Sequence, residues 1–297
     1  SQMDKQLVQA PPVSNSTGGP LFRWVLPTDN PLRYFPNLET LKKGELQNTW
    51  EVLPSVSRQL NFNLRVRDNA SEKGTSASDA MKITVDDTAG PFQITSQNQN
   101  QTWYAGSKQL IEWDVANTDQ GNINSPMVDL YFSVDDGQSF TLLAETIPND
   151  GKYILDVPFG ITTTQGRILI QGHNNIFIDI NNAPITIKES DFYLDFNTTV
   201  IEQSFCSDIK EVEYSFQYKA LNGYNQEVDF NVEGLSGTDV SFNPAKATSN
   251  NTTITLTISD ITVQKDVFNV ITESNGIRFE QPLTINVNNN TPTSPSL

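Results

Sequence analysis

The chain has one cysteine, one histidine and no long hydrophobic run. Cys206 is the only thiol among 297 residues, so no disulfide can form within the chain and zinc sites built from cysteine and histidine are excluded. No apolar stretch approaches the roughly 20 residues that a membrane-spanning helix requires, so we expect no membrane insertion. The first residues also lack the charged and apolar parts of a signal peptide, so if the protein is secreted its signal is expected upstream of Ser1.

Basic residues are scarce as well. The chain has 19 Lys and Arg against 35 Asp and Glu, which gives a formal net charge of −16 at pH 7. A surface of this sign repels nucleic acid and anionic lipid, so neither is expected as a partner. The acidity has two interpretations, which are solubility and an affinity for calcium.

Alternation of apolar and polar residues dominates the sequence after residue 50. From Leu60 to Arg67 every second residue is apolar, which predicts a strand with one buried face. Turn residues separate such runs, and no long segment has the 3.6-residue period of an amphipathic helix. One short helix is predicted from Leu38 to Lys43, with Asn37 as its N-cap and Gly44 as its end. The sequence therefore predicts an all-β chain of tandem immunoglobulin-like or fibronectin III-like sandwich modules.

Two joints divide the sequence into modules. Strand-like runs end at Asp86 to Pro91 and again at Lys188 to Asp191, in both cases before a new alternating run begins. The first part offers few convincing strands, so we expect it to be incomplete, with its opening strands upstream of Ser1. The predicted divisions are a partial immunoglobulin-like or cadherin-like module with a long N-terminal loop at 1–89, two complete sandwiches at 90–188 and 189–288, and a linker at 289–297.

Three groups of segments carry a resemblance to a known family. They are Leu26 to Pro36 with Thr49 to Pro54 and Val66 to Asn69, then Gly90 to Phe92 with Trp103 to Ser107, Ile111 to Val115 and Asn175 to Ile180, and finally Tyr193 through Cys206 to Tyr224. The first two groups resemble the region that follows the catalytic domain in reprolysin-type zinc metallopeptidases secreted by Bacteroidetes. The third resembles a β-module common downstream in such proteins. The resemblance spans nearly the whole chain, and the first group is its most specific part.

The resemblance implies export through type IX secretion and a location outside the cell or at its outer surface. It also implies that the partner is an upstream catalytic domain of the same polypeptide or another surface protein. It does not imply catalysis in this chain, because a zinc peptidase helix needs two histidines one turn apart with a glutamate between them. His173 is the only histidine, and its loop setting indicates a solvated or hydrogen-bonded side chain.

Calcium is the one cofactor that the sequence suggests. Asp68, Asp79, Asp86 and Asp87 lie at the ends of two strands expected to share a sheet, and the last two fall at a module joint. Calcium takes several oxygen ligands, and these carboxylates could supply some of them. The four aspartates are therefore a candidate calcium site, although the sequence contains no EF-hand loop and solubility is the favoured explanation of the acidity.

Residues 133–140 resemble an Asp-box, a hairpin turn of several secreted β proteins. Asp135 is expected to cap turn amides, Gly137 to adopt a positive φ, and Phe140 to pack beneath the hairpin. We interpret the motif as a structural turn rather than a ligand site.

Two surface functions are predicted from short motifs. Trp103 and Tyr104 precede an Ala-Gly pair in a loop-like stretch, so among the tryptophan positions they are the best candidates for an exposed pair that stacks on a sugar ring. Core or edge packing is nevertheless the favoured interpretation, and the sugar-binding role is the alternative. Thr88, between Asp87 and Ala89, resembles the O-glycosylation sequence of exported Bacteroidetes proteins and lies in a predicted linker.

Together these features predict a chain without a catalytic motif. We expect a non-catalytic accessory or spacer region of a secreted or cell-surface bacterial protein, downstream of a zinc metallopeptidase domain. One alternative is an adhesin or carbohydrate-binding module with a glycan as its partner. Another is an enzyme whose acidic site is not recognisable from sequence, because carboxylate pairs converge only in space.

Overall fold

The regular structure of the chain is almost entirely β-sheet, which confirms the predicted fold class. The computed structural model describes residues 2–4, 9–26, 32–68, 74–206, 209–261 and 265–288. The predicted linker at 289–297 lies outside the described residues. Within these ranges, no helix has the length and apolar character needed to cross a membrane.

The N-terminal segment, meaning the described residues up to Gly90, is a long loop that contains one short helix and a short antiparallel strand pair, followed by a longer β-hairpin. Helix α1 (Leu38–Leu41) begins after Asn37, whose side-chain oxygen accepts a hydrogen bond from Thr40 N at 3.1 Å. The helix ends two residues earlier than predicted, because the chain already turns toward Gly44, which has a φ of 72°. The strands of this segment are β1 (Gln47–Asn48), β2 (Glu51–Val52), β3 (Arg58–Arg67) and β4 (Ser76–Val85).

Strands β3 and β4 pair antiparallel, and the apolar face of their hairpin is only half covered. Leu60 and Phe62 are buried in a small core with Phe22. Further along the same face, Leu64 and Val66 are 66% and 59% exposed. In the described residues the hairpin forms a two-stranded sheet without a second sheet of its own to cover this face.

Residues 93–188 form a sandwich of two sheets, here called the middle sandwich. Its strands are β5 (Gln93–Ile94), β6 (Gln101–Tyr104), β7 (Lys108–Asp114), β8 (Met127–Ser133), β9 (Thr141–Pro148), β10 (Lys152–Asp156), β11 (Thr163–Gly172), β12 (Ile178–Ile180) and β13 (Ile185–Lys188). One sheet has the order β10-β7-β5, and the other has the order β6-β13-β11-β8-β9 with β12 attached to β11. Neighbouring strands are antiparallel except β6 and β13, which run parallel.

Residues 192–288 form a second two-sheet unit, here called the C-terminal sandwich. Its elements are β14 (Phe192–Phe196), a 3-10 turn (Thr198–Val200), β15 (Glu202–Cys206), β16 (Glu211–Ala220), β17 (Val228–Glu233), β18 (Asp239–Asn243), β19 (Lys246–Ala247), β20 (Thr252–Ser259), β21 (Lys265–Ser274) and β22 (Ile277–Asn288). The sheet orders are β14-β16-β20-β18 and β15-β22-β21-β17-β19.

Strand β16 shows how the sequence pattern produces this packing. Successive side chains of a strand point to opposite faces, so strict alternation directs every second residue into the core. The buried face carries Val212, Tyr214, Phe216 and Tyr218, each at most 4% exposed. Burying a large apolar side chain contributes roughly 1.5–3 kcal/mol, so a few such strands supply most of the driving force for each sandwich.

Candidate functional site

The four aspartates of the predicted calcium site are spread along the hairpin. Asp68 follows β3 and Asp86 follows β4, so they lie at opposite ends of two strands that pair over ten residues. Asp79 lies within β4, opposite Leu64. Only Asp86 and Asp87 are brought together, and the described residues contain no group of three or more Asp, Glu, His or Cys side chains that could hold a metal ion.

Asp86 forms a hydrogen bond across the joint between the N-terminal segment and the middle sandwich. Asp86 Oδ2 accepts from Asn122 Nδ2 at 2.6 Å, which ties the N-terminal segment to the middle sandwich. Hydrogen bonds from Thr88 and Asn122 hold the pKa of Asp86 below its ordinary value. The Thr88 hydroxyl donates to Asp86 Oδ1 at 2.6 Å, and Thr88 itself is exposed. Glycosylation of Thr88 stays a prediction.

Trp103 and Tyr104 are buried, as the favoured interpretation of core packing predicts, and their alternative role as an exposed sugar-binding pair is wrong. Trp103 is 1% exposed, and its ring stacks against Phe132 with the ring centroids 6.4 Å apart. Tyr104 is 5% exposed, and its ring lies 5.8 Å from that of Phe279 in the C-terminal sandwich. Both belong to β6, where neighbouring side chains face opposite ways, so Trp103 packs on the middle sandwich and Tyr104 on the C-terminal sandwich. Strand β6 is held in this place by parallel pairing with β13, a strand about 80 residues later, and the short loop-like stretch gave no signal of that pairing.

The Asp-box hairpin has the hydrogen bonds of a stabilised turn. Asp135 Oδ1 accepts from Ser139 N at 2.9 Å and from Ser133 Oγ at 2.6 Å. These bonds lower the pKa of Asp135 to about 2, with the one from the Ser133 hydroxyl having the largest effect. Gly137 has a φ of 89°, and a Cβ atom there would lie 3.5 Å from the ring of Phe140.

The same hairpin also fastens the N-terminal segment to the middle sandwich through Asp136. Lys42 Nζ lies 2.7 Å from Asp136 Oδ2, and Arg167 Nε lies 2.8 Å from Asp136 Oδ1. Burial opposes ionisation of this carboxyl, but the hydrogen bonds and charges of the two bases hold its pKa below the ordinary value. Leu38 packs on Gly137, where a Cβ atom would be only 2.9 Å from Leu38 Cδ2. Sequence reasoning missed this contact, because Lys42 lies 94 residues before Asp136.

Replacing Lys42 with methionine should loosen this joint without unfolding either sandwich. Asp136 would lose one of its two cationic partners. Because the Asp136 side chain is 37% exposed, we expect the free energy of unfolding to fall by only about 1 kcal/mol. Hydrogen exchange should accelerate in residues 38–44 and 133–140. The matched control is Lys43→Met, since Lys43 is exposed. Equal exchange in the two variants would contradict the role given to Lys42.

The joint between the two sandwiches is built around Gln281. Its side chain is fully buried, with Oε1 accepting from Lys108 N at 2.8 Å and Nε2 donating to Lys108 O at 2.6 Å. The ring of Phe159 packs edge-on against Tyr193 at 5.4 Å. The surface part of the joint has an ion pair between Lys152 Nζ and Glu202 Oε2 at 2.6 Å.

His173 is paired with a carboxylate. Its Nδ1 lies 2.9 Å and 3.0 Å from the two oxygens of Asp129, and Asp129 Oδ1 also accepts from Thr146 N at 2.8 Å. A hydrolase triad would need a serine, threonine or cysteine on the other ring nitrogen, and none of the hydrogen bonds found in the described ranges supplies one. The pair connects the end of β11 to β8.

A cleft of about 1180 Å³ lies between the hairpin and the middle sandwich. Aromatic rings from both sides line it, together with the connection between the two modules. Asp179 of β12 also lines it, is 6% exposed, and accepts a hydrogen bond from Ile94 N at 2.7 Å. Burial raises the pKa of Asp179 to about 6, against the lowering effect of backbone hydrogen bonds from Ile94 and Ile180.

Comparison with known proteins yields only distant structural likenesses. No family model matches the chain, and no curated protein matches it. Fibronectin(III)-like modules of Clostridium thermocellum CbhA are 11% identical, with 70% of this chain and 99% of that chain covered and a TM-score of 0.24. The titin domains z1z2 in complex with telethonin are 14% identical, with 69% and 100% covered and a TM-score of 0.23. At such scores the sandwich architecture is established by the strand pairing, not by these likenesses.

Proposed function

We propose that this chain is a non-catalytic spacer and presentation region of a secreted or cell-surface bacterial protein. In this proposal it holds a zinc metallopeptidase domain of the same polypeptide, or another surface protein, at a fixed distance and orientation. The family resemblance of the sequence supports the metallopeptidase and the route of export. The joint at Gln281 is the observation that carries the spacer role.

The Gln281 joint favours a rigid connection over a flexible one. Neighbouring domains move relative to each other by default unless their interface is large and hydrophobic. Here a buried amide also satisfies both backbone groups of Lys108, so a small displacement that breaks these bonds without admitting water would leave polar groups without partners. Tyr104 and Phe279 add aromatic packing to the same interface. A pair of sandwiches joined in this way transmits a fixed geometry.

Distances between the two sandwiches test this proposal directly. Spin labels would be placed at Gln138 and Val267, both exposed, in a Cys206→Ser background because Cys206 is itself exposed. Double electron–electron resonance should give a narrow distribution of distances between the two labels, and Gln281→Ala should broaden that distribution. That substitution leaves two backbone groups unsatisfied, at a cost of about 1–3 kcal/mol.

The matched control is Gln226→Ala, which removes an exposed glutamine of the same sandwich. It should leave the distribution as narrow as in the parent protein. A broad distribution in the unsubstituted chain would overturn the spacer role. An equal width for Gln281→Ala and Gln226→Ala would show that another contact sets the geometry.

A further inference from the structure

The cleft beside the hairpin has aromatic walls on both sides. Phe22, Phe35 and Phe62 form a cluster from the N-terminal segment, with Phe35 lying 4.7 Å from Phe22 and 5.1 Å from Phe62 between ring centroids. Phe92 and Phe177 form a second cluster from the middle sandwich, with 5.0 Å between their rings. Ring faces carry negative charge density, so a cavity with such walls attracts cations as well as apolar groups.

Asp179 is a buried carboxyl that no cation of the protein neutralises. Its Oδ2 accepts from Ile94 N, and no ion pair identified in the described part of the chain includes it. A carboxylate that is 6% exposed is costly to ionise without a positive partner. The side chain is therefore set up to gain from a cation that reaches it through the cleft.

The other charged groups around the cleft also favour a positively charged ligand. Asp86 and Asp87 line it, whereas Arg33, a base that also lines it, is already paired with the carboxylate of Glu51 at 2.9 Å. The net charge of −16 raises the local concentration of cations around the whole molecule. Anionic ligands are disfavoured for the same reasons.

We infer that the cleft binds an organic cation, meaning an ammonium group on an apolar body, with the charge at Asp179 and the apolar part between the two phenylalanine clusters. The volume of about 1180 Å³ is sufficient for a drug-sized organic cation. A bare metal ion fits less well, because the described residues contain no cluster of three or more metal-binding side chains.

Calorimetric titration with two small probes tests the charge requirement. Benzylammonium carries the aromatic body and the charge, and benzyl alcohol has a similar size and shape without the charge. At neutral pH the ammonium should bind at least about tenfold more tightly than the alcohol. Ring signals of Phe92 and Phe177 should shift in NMR spectra during the titration, which places the probe in the cleft.

Two substitutions, with a third as their control, test whether the ammonium group of the probe binds at Asp179. Asp179→Asn keeps an oxygen that can accept a hydrogen bond from Ile94 N but removes the charge. The affinity for benzylammonium should therefore fall at least about tenfold, while the affinity for benzyl alcohol should not change. Ile176 lines the cleft and is 63% exposed, so Ile176→Lys should repel the ammonium without disturbing the fold. Val267→Lys adds the same charge at a position in the C-terminal sandwich that is 56% exposed, and it should have little effect.

Several results would overturn the inference. One is equal affinity of the two probes, or no detectable heat and no Phe92 or Phe177 shift with benzylammonium. Another is unchanged ammonium affinity in Asp179→Asn, provided that its circular dichroism spectrum matches that of the parent protein. A third is an equal effect of the two lysine substitutions, which would indicate attraction by the net charge rather than a site.

Discussion

Replacing Trp103 with alanine is expected to lower the free energy of unfolding of the middle sandwich by about 3–5 kcal/mol. The indole is 1% exposed and stacks on Phe132, so its removal leaves a cavity between the sheets. Its Nε1 also donates to Gln101 Oε1 at 3.1 Å. Native domains are stable by only about 5–15 kcal/mol, so this single change would remove a large share of the total.

Urea denaturation followed by far-ultraviolet circular dichroism measures this loss. The matched control is Trp24→Ala, because Trp24 is 60% exposed and its removal should change stability by no more than about 0.5 kcal/mol. Equal unfolding midpoints for the two alanine variants would contradict the buried position of Trp103. Trp103→Phe should fall between them, since it keeps part of the ring volume.

The burial of Trp103 changes how a glycan-binding experiment must be interpreted. A loss of binding in Trp103→Ala would be expected from disruption of the sandwich alone, whether or not the side chain ever contacts a sugar. Trp24 and Trp50, at 60% and 42% exposed, are the tryptophans whose substitution can report on a surface contact. The adhesin alternative is therefore better tested at those two positions.

Local patterns in the sequence were sufficient to predict many of the strands and the turn chemistry around Asp135, but not β6, which was interpreted as loop-like. The alternation in β3 and β16 depends only on which face of a strand each residue occupies, which neighbouring residues determine. The hydrogen bonds around Asp135 join residues at most four apart, so they too are visible in a short segment. These features need no knowledge of the rest of the chain.

Contacts between distant segments could not be predicted in this way. Lys42 reaches Asp136 across 94 residues, and Gln281 reaches Lys108 across 173 residues. Neither pair has a local signature, because a lysine in a turn or a glutamine in a strand is ordinarily a solvated residue. The positions of the joints could be predicted from turn residues, but the side-chain contacts across them, which carry the proposed function, could not.

Asp179 shows how alternation can mislead. The run Ile178-Asp179-Ile180 would place the aspartate on a solvated face, yet Asp179 pairs with Ile170 and shares the buried side of its sheet. Paired residues of antiparallel strands have their side chains on the same face, so the register of β12 on β11 decides the outcome. That register is set by tertiary pairing rather than by composition.

The stability of the chain is expected to fall as the pH rises through about 6, and Asp179→Asn should remove that fall. Burial raises the pKa of Asp179 from 3.8 to about 6 in the folded protein, so the folded state holds this proton more tightly than the unfolded chain. The favourable contribution is fully present below pH 3.8 and is lost as the pH passes through about 6. The difference in pKa corresponds to about 3 kcal/mol.

Urea denaturation of both proteins across a pH series from about 4 to about 8 tests this expectation. Asp179→Asn should be more stable than the parent protein by up to about 3 kcal/mol at the upper end, with the difference shrinking toward the lower end. Other carboxyls titrate identically in both proteins, so they cancel in the difference. Asp239→Asn, at an exposed carboxyl, is the matched control for the substitution itself. If the Asp179→Asn difference did not change with pH, burial would not favour the protonated form of Asp179, and the attraction of this site for a cation would lose its physical basis.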